Sequence, residues 1–323
     1  SRPCRHTRYG AGIAPIPMSD PRTPTGQAPI LHGFRSGASH SRNRVPLLRP
    51  APAATIAAVP LGPTDILLLV AIGLCAGAVG GLLGIGGSII MIPAMAIAFA
   101  AEPFHNQHLY QAAAMAANVA VALPAARRHR RAGALRRDVF RIMLPAALVA
   151  IIAGVLLSNA LATPTLKRLF ALFLLYVVVT NTVKLVRRRP EHEPHHRRVN
   201  WFTGGTVGGV MGFLAGLLGI GGGGIAVPLA NTVCRIPLRE AIAASANVMV
   251  LTAAVGAALK IATLPERGAS IVTALIIAAC LAPTAILGGH LGAGLTHRLP
   301  IPWIRGVFTL AIAAAAARMA GLF

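Results

Sequence analysis

From residue 65 onward the chain alternates between long apolar runs and short polar stretches. The runs cover 65–83, 109–126, 138–161, 166–186, 202–220, 238–260, 270–294 and 302–322, with their few charges mostly at the ends. They are too long for strands and too continuous for amphipathic surface helices. Most approach the roughly 20 residues that a helix needs to cross a hydrocarbon core. Two shorter apolar pieces, 88–100 and 223–233, each follow a glycine-dense heptapeptide. The pattern predicts an all-α polytopic membrane protein with about 8–10 membrane segments. Composition agrees: 55% of residues are hydrophobic and 12% charged, against about a quarter charged in a soluble domain.

The heptapeptide is GLLGIGG, at 81–87 and again at 216–222, with Pro93 and Pro228 six residues past each copy. A second match lies further on. AAAMAANVAV (112–121) aligns with AIAASANVMV (241–250) at six of ten positions, including Asn118 with Asn247. Two matches in the same order predict two homologous helical halves, 65–186 and 201–323, each with a glycine-broken segment and an asparagine-bearing span.

Three roles compete for the glycines. Gly77 with Gly81, Gly80 with Gly84, and the ladder Gly208, Gly212, Gly216 have the small-xxx-small spacing that lets membrane helices approach closely. That spacing leaves Gly86-Gly87 and Gly221 to Gly224 without a purpose. Dinucleotide binding needs GxGxxG between a strand and a helix; the second copy fits the letters, the first does not, and no strand precedes either. A broken transmembrane helix accounts for both copies. Backbone inside a bilayer is left unpaired only where it lines a cavity or is buried by protein. A helix restarting after a break presents the positive end of its dipole, which attracts anions. Breaks at matching positions of two halves point to a transporter's substrate site.

With these residues in view, the chain from about 65 to its end resembles the TauE/SafE sulfite exporter family of membrane proteins. GLLGIGGGGIAVP, the second copy, is the closer match to that family's glycine signature; GLLGIGGSIIMIP is looser. The resemblance implies a secondary transporter for a small anion, such as sulfite, another sulfur oxyanion or an organosulfonate. It places substrate binding at Gly84, Gly86, Gly87 and Ser88, and at Gly219, Gly221, Gly222 and Gly223. Apart from the resemblance, Asn118 and Asn247 are the polar residues best placed to line a cavity from both halves, with Ser245 on the second span. The competing expectation for the pair is interhelical hydrogen bonding. A membrane scaffold or assembly protein without transport activity is the alternative function, although it has no need of two matching breaks.

Charge orients the spans. The net charge of +22 would suit nucleic acid, but the arginines of 127–137 and 187–198 lack the interleaved aromatics that stack bases. No nucleic acid is expected. Arg-rich loops mark the cytoplasmic side, and they also attract anionic lipid. Both loops are expected there, 187–200 being a basic linker, with the Lys- and Arg-free 101–108 opposite. The protein is placed in the cell membrane as a multi-pass protein, in the inner membrane if the cell has two. Residues 1–64, rich in Arg, Pro, Ser and Gly, read as a disordered basic tail or as sequence ahead of a later start, with Met18 the only methionine before the first span. No nucleophile–base set, acid pair or zinc-ligand spacing is visible, so no enzyme activity, cofactor or metal is expected. Cys75 reads as a small buried apolar residue. Homo-oligomerisation is left open.

Overall fold

The computed structural model describes residues 61–83, 86–102, 105–186, 199–295 and 301–321. The basic tail up to residue 60, the arginine-rich 187–198 and Gly84 lie outside them. Ten α-helices occur among the described residues: α1 (Pro63–Leu83), α2 (Ser88–Ala98), α3 (Gln107–Arg131), α4 (Arg137–Ala160), α5 (Thr163–Val186), α6 (Trp201–Leu218), α7 (Gly223–Val233), α8 (Leu238–Thr263), α9 (Ile271–Leu295) and α10 (Ile301–Met319). Seven are long and apolar enough to cross a membrane. Large apolar side chains turn outward, among them Val149, Leu156, Leu172, Leu287 and Leu310, the last 73% exposed. Keeping such a surface in water would be unfavourable by about 25 cal/mol per Å²; hydrocarbon removes that cost. The chain is a multi-pass all-α membrane protein.

Local signals set the helix starts. The Asn106 side chain accepts from the His108 amide at the head of α3. Asn200 and Thr203 form a reciprocal capping box on α6. Each satisfies amides that the helix leaves unpaired at its N-terminus.

Contacts fix the direction of each helix. Lys260, near the end of α8, meets His108 at the start of α3 and Ser158 at the end of α4. Arg130, at the far end of α3, meets Asn247 in the first half of α8. So α3 and α8 are antiparallel, and α4 runs against α3. Lys167 at the start of α5 touches His105, so α5 starts beside the start of α3. Asn106 donates to Arg267 O in the turn after α8, so α9 also starts at this His108 end. Matched contacts make α1 parallel to α9 and α6 parallel to α4. Thus α1 starts at the His108 end and α6 at the Arg130 end. Arg168 and Ala171 near the start of α5 line one cavity with Ala316 and Ala317 near the end of α10, so α10 ends at the His108 end. Corresponding long helices of the two sets of five therefore run in opposite directions.

The short helices complete this inversion. Gly87 lies against Ala76, and Gly222 against Met211, each eleven residues earlier in the preceding long helix. Helices α2 and α7 therefore fold back beside α1 and α6. With eleven residues each, they are about 16 Å long, half a bilayer.

The first helix of each set packs on the fourth helix of the other. On α6, a Cβ added at Gly208, Gly212 or Gly216 would strike the carbonyls of Met143, Ala147 or Ile151 on α4. On the α1–α9 seam, Gly77 faces Ala285 O, and Gly288 and Gly292 face Leu74 O and Ala78 O. Helices this close gain dispersion contact along their whole length. The sequence ladder is thus a seam to the other half. Gly80 does not belong to such a seam: it lies against the backbone of Gly86 and Gly87. Cys75, expected inside, is exposed, whereas Cys234 is buried; the glycine face of α1 is the one turned to α9, which leaves Cys75 outside.

Candidate functional site

The two glycine breaks meet. Ser88, the first residue of α2, donates from Oγ to the carbonyl of Ile220 in the second break at 3.3 Å. Asn118 Nδ2 donates to the same Ser88 Oγ. Asn118 is fully buried and lies at the middle of α3, so the crossing sits near the membrane midplane. Gly221 rests on Asn118, and Met249 of α8 lies against both Gly86 and Gly221.

The backbone requires glycine here. Gly86, Gly219, Gly221 and Gly222 have φ of 82°, 76°, 71° and 84°, a left-handed region that other L-residues enter at a cost of roughly 1–2 kcal/mol. Gly219 ends α6 in that conformation, and Gly222 precedes α7 in it. A Cβ on Gly219 would also lie 2.7 Å from Gln111.

Polar groups here are incompletely paired. Asn118 Oδ1 at the crossing and Ser245 Oγ on α8 are buried without a hydrogen bond. Among the described residues the amides of Gly223 and Gly224, which open α7, also carry no hydrogen bond. Such groups in a dry setting are left several kcal/mol above their paired state. An anion accepting from the Gly223 and Gly224 N–H groups and a hydroxyl would relieve the donors' share of that penalty, aided by the dipoles of α2 and α7.

The structure gathers Ser88, Asn118, Gly86, Gly221 and the Ile220 carbonyl around one point. Gly87 faces the Met91 side chain and Gly222 faces Met211. Gly223 is the first residue of α7. Asn247 is buried but engaged elsewhere: it donates to Ala243 O and accepts from Arg130 Nε at 2.5 Å. No hydrogen bond joins it to Asn118 among the described residues.

A second polar group escaped the sequence reading. Lys260 Nζ donates to Ser158 Oγ at 2.7 Å, and Ser158 Oγ donates to Gln111 Oε1 at 3.2 Å. Gln111 Nε2 then donates to Leu217 O at 3.3 Å, at the end of α6. This chain links the His108 end to the second break. Its signal in the sequence was one lysine at the edge of an apolar run, easily taken for a span terminus. Outside the spans, burial and the neighbouring Lys167 ammonium hold the His105 imidazole below its ordinary value. Burial pushes the Cys234 thiol up, making it a poor nucleophile.

Known proteins resemble this chain. The family model described as Sulfite exporter TauE/SafE matches residues 69–319. A "Probable membrane transporter protein MamO" of Paramagnetospirillum magneticum is 27% identical over 288 residues, covering 79% of this chain and 44% of that protein. A protein of the same name in Magnetospirillum gryphiswaldense is 26% identical, with 45% of it covered. A "Probable membrane transporter protein" of Haemophilus influenzae is 25% identical over 266 residues, covering 79% of this chain and 98% of that protein. The chain therefore spans under half the length of the two MamO proteins and nearly all of the Haemophilus one. No solved structure matches the chain. With 251 consecutive residues inside the family model, the chain belongs to the sulfite exporter TauE/SafE family of membrane transporters.

Proposed function

We propose that this chain is a secondary transporter for a small anion, a sulfur oxyanion or organosulfonate such as sulfite, bound where the two breaks cross. The supporting observation is the meeting of the two breaks near the midplane, beside buried polar atoms that lack partners. Matched half-helices at a repeat interface suit alternating access: the halves rock about a fixed site. Ser88, Asn118 and the backbone of Gly86, Gly221 and Gly223 bind the anion. Gly87, Gly219 and Gly222 shape the breaks, and Ser245 and Asn247 extend the polar surface on α8. Gly84 belongs to the same heptapeptide.

The sulfur-oxyanion class comes from the family description; the site contributes N–H and hydroxyl donors that suit any small oxyanion. Uptake into proteoliposomes of the purified chain, with sulfite, thiosulfate, taurine and acetate as alternative cargo, tests the reading. Saturable flux of one sulfur anion is expected. Flux of none of them above empty liposomes would reject it.

A further inference from the structure

Lys260 is 1% exposed on α8. Its amine has three N–H donors and two partners, Ser158 Oγ and His108 Nδ1, at 2.7 and 3.2 Å. Both are neutral acceptors when His108 presents a bare nitrogen, and neither offsets a charge. Among the described residues no carboxylate lies within 4.0 Å of Lys260 or of Lys167; the ion pair found there, Arg136–Asp138, is at the opposite end. Charges inside a membrane protein usually pair with one another or face a substrate path. Here cations lie close together, with Glu102 and Glu266 in the adjoining loops. Lys167 Nζ stands 2.5 Å from His105 Nε2, and the backbone of Arg267 is tied to Asn106 beside them.

One turn before Gln111 on α3, Gln107 is fully buried with both side-chain polar atoms unpaired. A buried cation among neutral donors in a low-dielectric setting attracts ions of the opposite sign. The hydrogen-bond chain from Lys260 through Ser158 and Gln111 ends at Leu217 O, two residues before Gly219. The polar chain therefore reaches the second glycine break.

We infer that Lys260 is an anion-binding residue at the His108 end, separate from the crossing of the breaks, where an entering oxyanion is met by the amine before it reaches Ser88 and Asn118. The inference rests on the reading of the cargo as an anion. Gln107 supplies a neutral donor on the same end of α3. Since Ser158 occupies one amine donor, the anion takes the free one.

The full chain, purified in detergent, is titrated with sodium sulfite and separately with sodium sulfate at constant ionic strength, following the melting midpoint. A ligand that binds the folded state raises that midpoint with concentration. Three variants are compared: Lys260→Met, Lys260→Gln, which keeps a donor toward Ser158, and Lys260→Arg, which keeps the charge. The parent is expected to be stabilised, with half-saturation shifted at least tenfold upward in Lys260→Met and Lys260→Gln and less than threefold in Lys260→Arg. If only one of the two neutral variants folds, that one decides. A purely structural lysine, tying Ser158 to His108, would on replacement lower the midpoint without anion yet leave half-saturation at the parent value. That result overturns the assignment of Lys260 and leaves the central site standing. A parent stabilised by neither salt overturns both the assignment and the anion reading.

Discussion

Replacing Gly86 and Gly221 by alanine, one at a time, separates backbone strain from site geometry. Both residues have left-handed φ, 82° and 71°, so each alanine loses roughly 1–2 kcal/mol of stability on backbone grounds alone. Their surroundings differ. The added Cβ at position 86 meets nothing nearer than Met249 Sδ at 3.8 Å, an ordinary contact. At position 221 it falls 2.7 Å from Asn118 Nδ2 and 3.3 Å from Met249 Sδ. Asn118 must move, and with it the hydrogen bond to Ser88 Oγ. A hydrogen bond to a charged ligand contributes about 1.5–3 kcal/mol, so losing one donor weakens binding roughly 10- to 150-fold. Gly86→Ala should therefore melt earlier but keep the parent's KM for anion flux in proteoliposomes. Gly221→Ala should melt about as early and show KM raised at least tenfold. Equal KM values for the two variants and the parent would refute the placement of the anion beside Asn118.

Further outcomes follow from the same contacts. Asn118→Leu should abolish flux in a folded protein, whereas Asn247→Leu, which removes the partner of Arg130, should retain part of it; flux assays on both variants check this. Gly212→Ile should prevent folding because its Cβ strikes the carbonyl of Ala147, while Gly209→Ala, with nothing within 4 Å, should match the parent in size-exclusion profile and melting. In a cysteine-free background, Ala132→Cys should resist an impermeant thiol reagent in intact cells and Glu266→Cys should react. The reverse pattern would invert the orientation drawn from the arginines around 127–137. For His105, burial first and then Lys167 disfavour the protonated form in the folded state. The unfolded chain therefore binds that proton more readily, and stability present above pH 6.5 is lost as pH falls from there through the lower folded-state value. His105→Gln should flatten this slope in melts between pH 7.5 and 5.

The sequence made the helices legible because each apolar run had to satisfy its own backbone inside hydrocarbon. The run expected over 223–233 is α7 with the same bounds, and 166–186 begins three residues early as α5. The glycine break was legible for a similar reason: Gly221-Gly222 had no use in a continuous helix. What the letters did not contain was mutual placement. Asn118 and Asn247 occupy matching positions, yet one meets Ser88 and the other Arg130, because Ser88 has Gly223 as its aligned partner and the halves differ where they touch. Whether α2 crosses or folds back was equally hidden. It depends on Gly87 meeting Ala76, a contact between residues whose identities permit it without demanding it. Lys260 was passed over since a lysine near a helix end normally reaches for water; here α4 closes over it.

The exchange of first helices between halves also sets a timetable for synthesis. When α6 leaves the ribosome, α4 is already made, and its glycine ladder has a partner at once. Helix α1 has none: the turns that receive Gly73 and Gly77 are on α9, around Leu281 and Ala285, roughly 200 residues later. At about 5–20 residues per second, α1 waits on the order of 10–40 s in the bilayer with a bare glycine face. During that interval the nascent chain is open to mispairing with any other small-residue helix, including α1 of a neighbouring copy. Slow codons or a stall between α8 and α9 would lengthen the exposure, and a chain truncated before Ile271 would never end it.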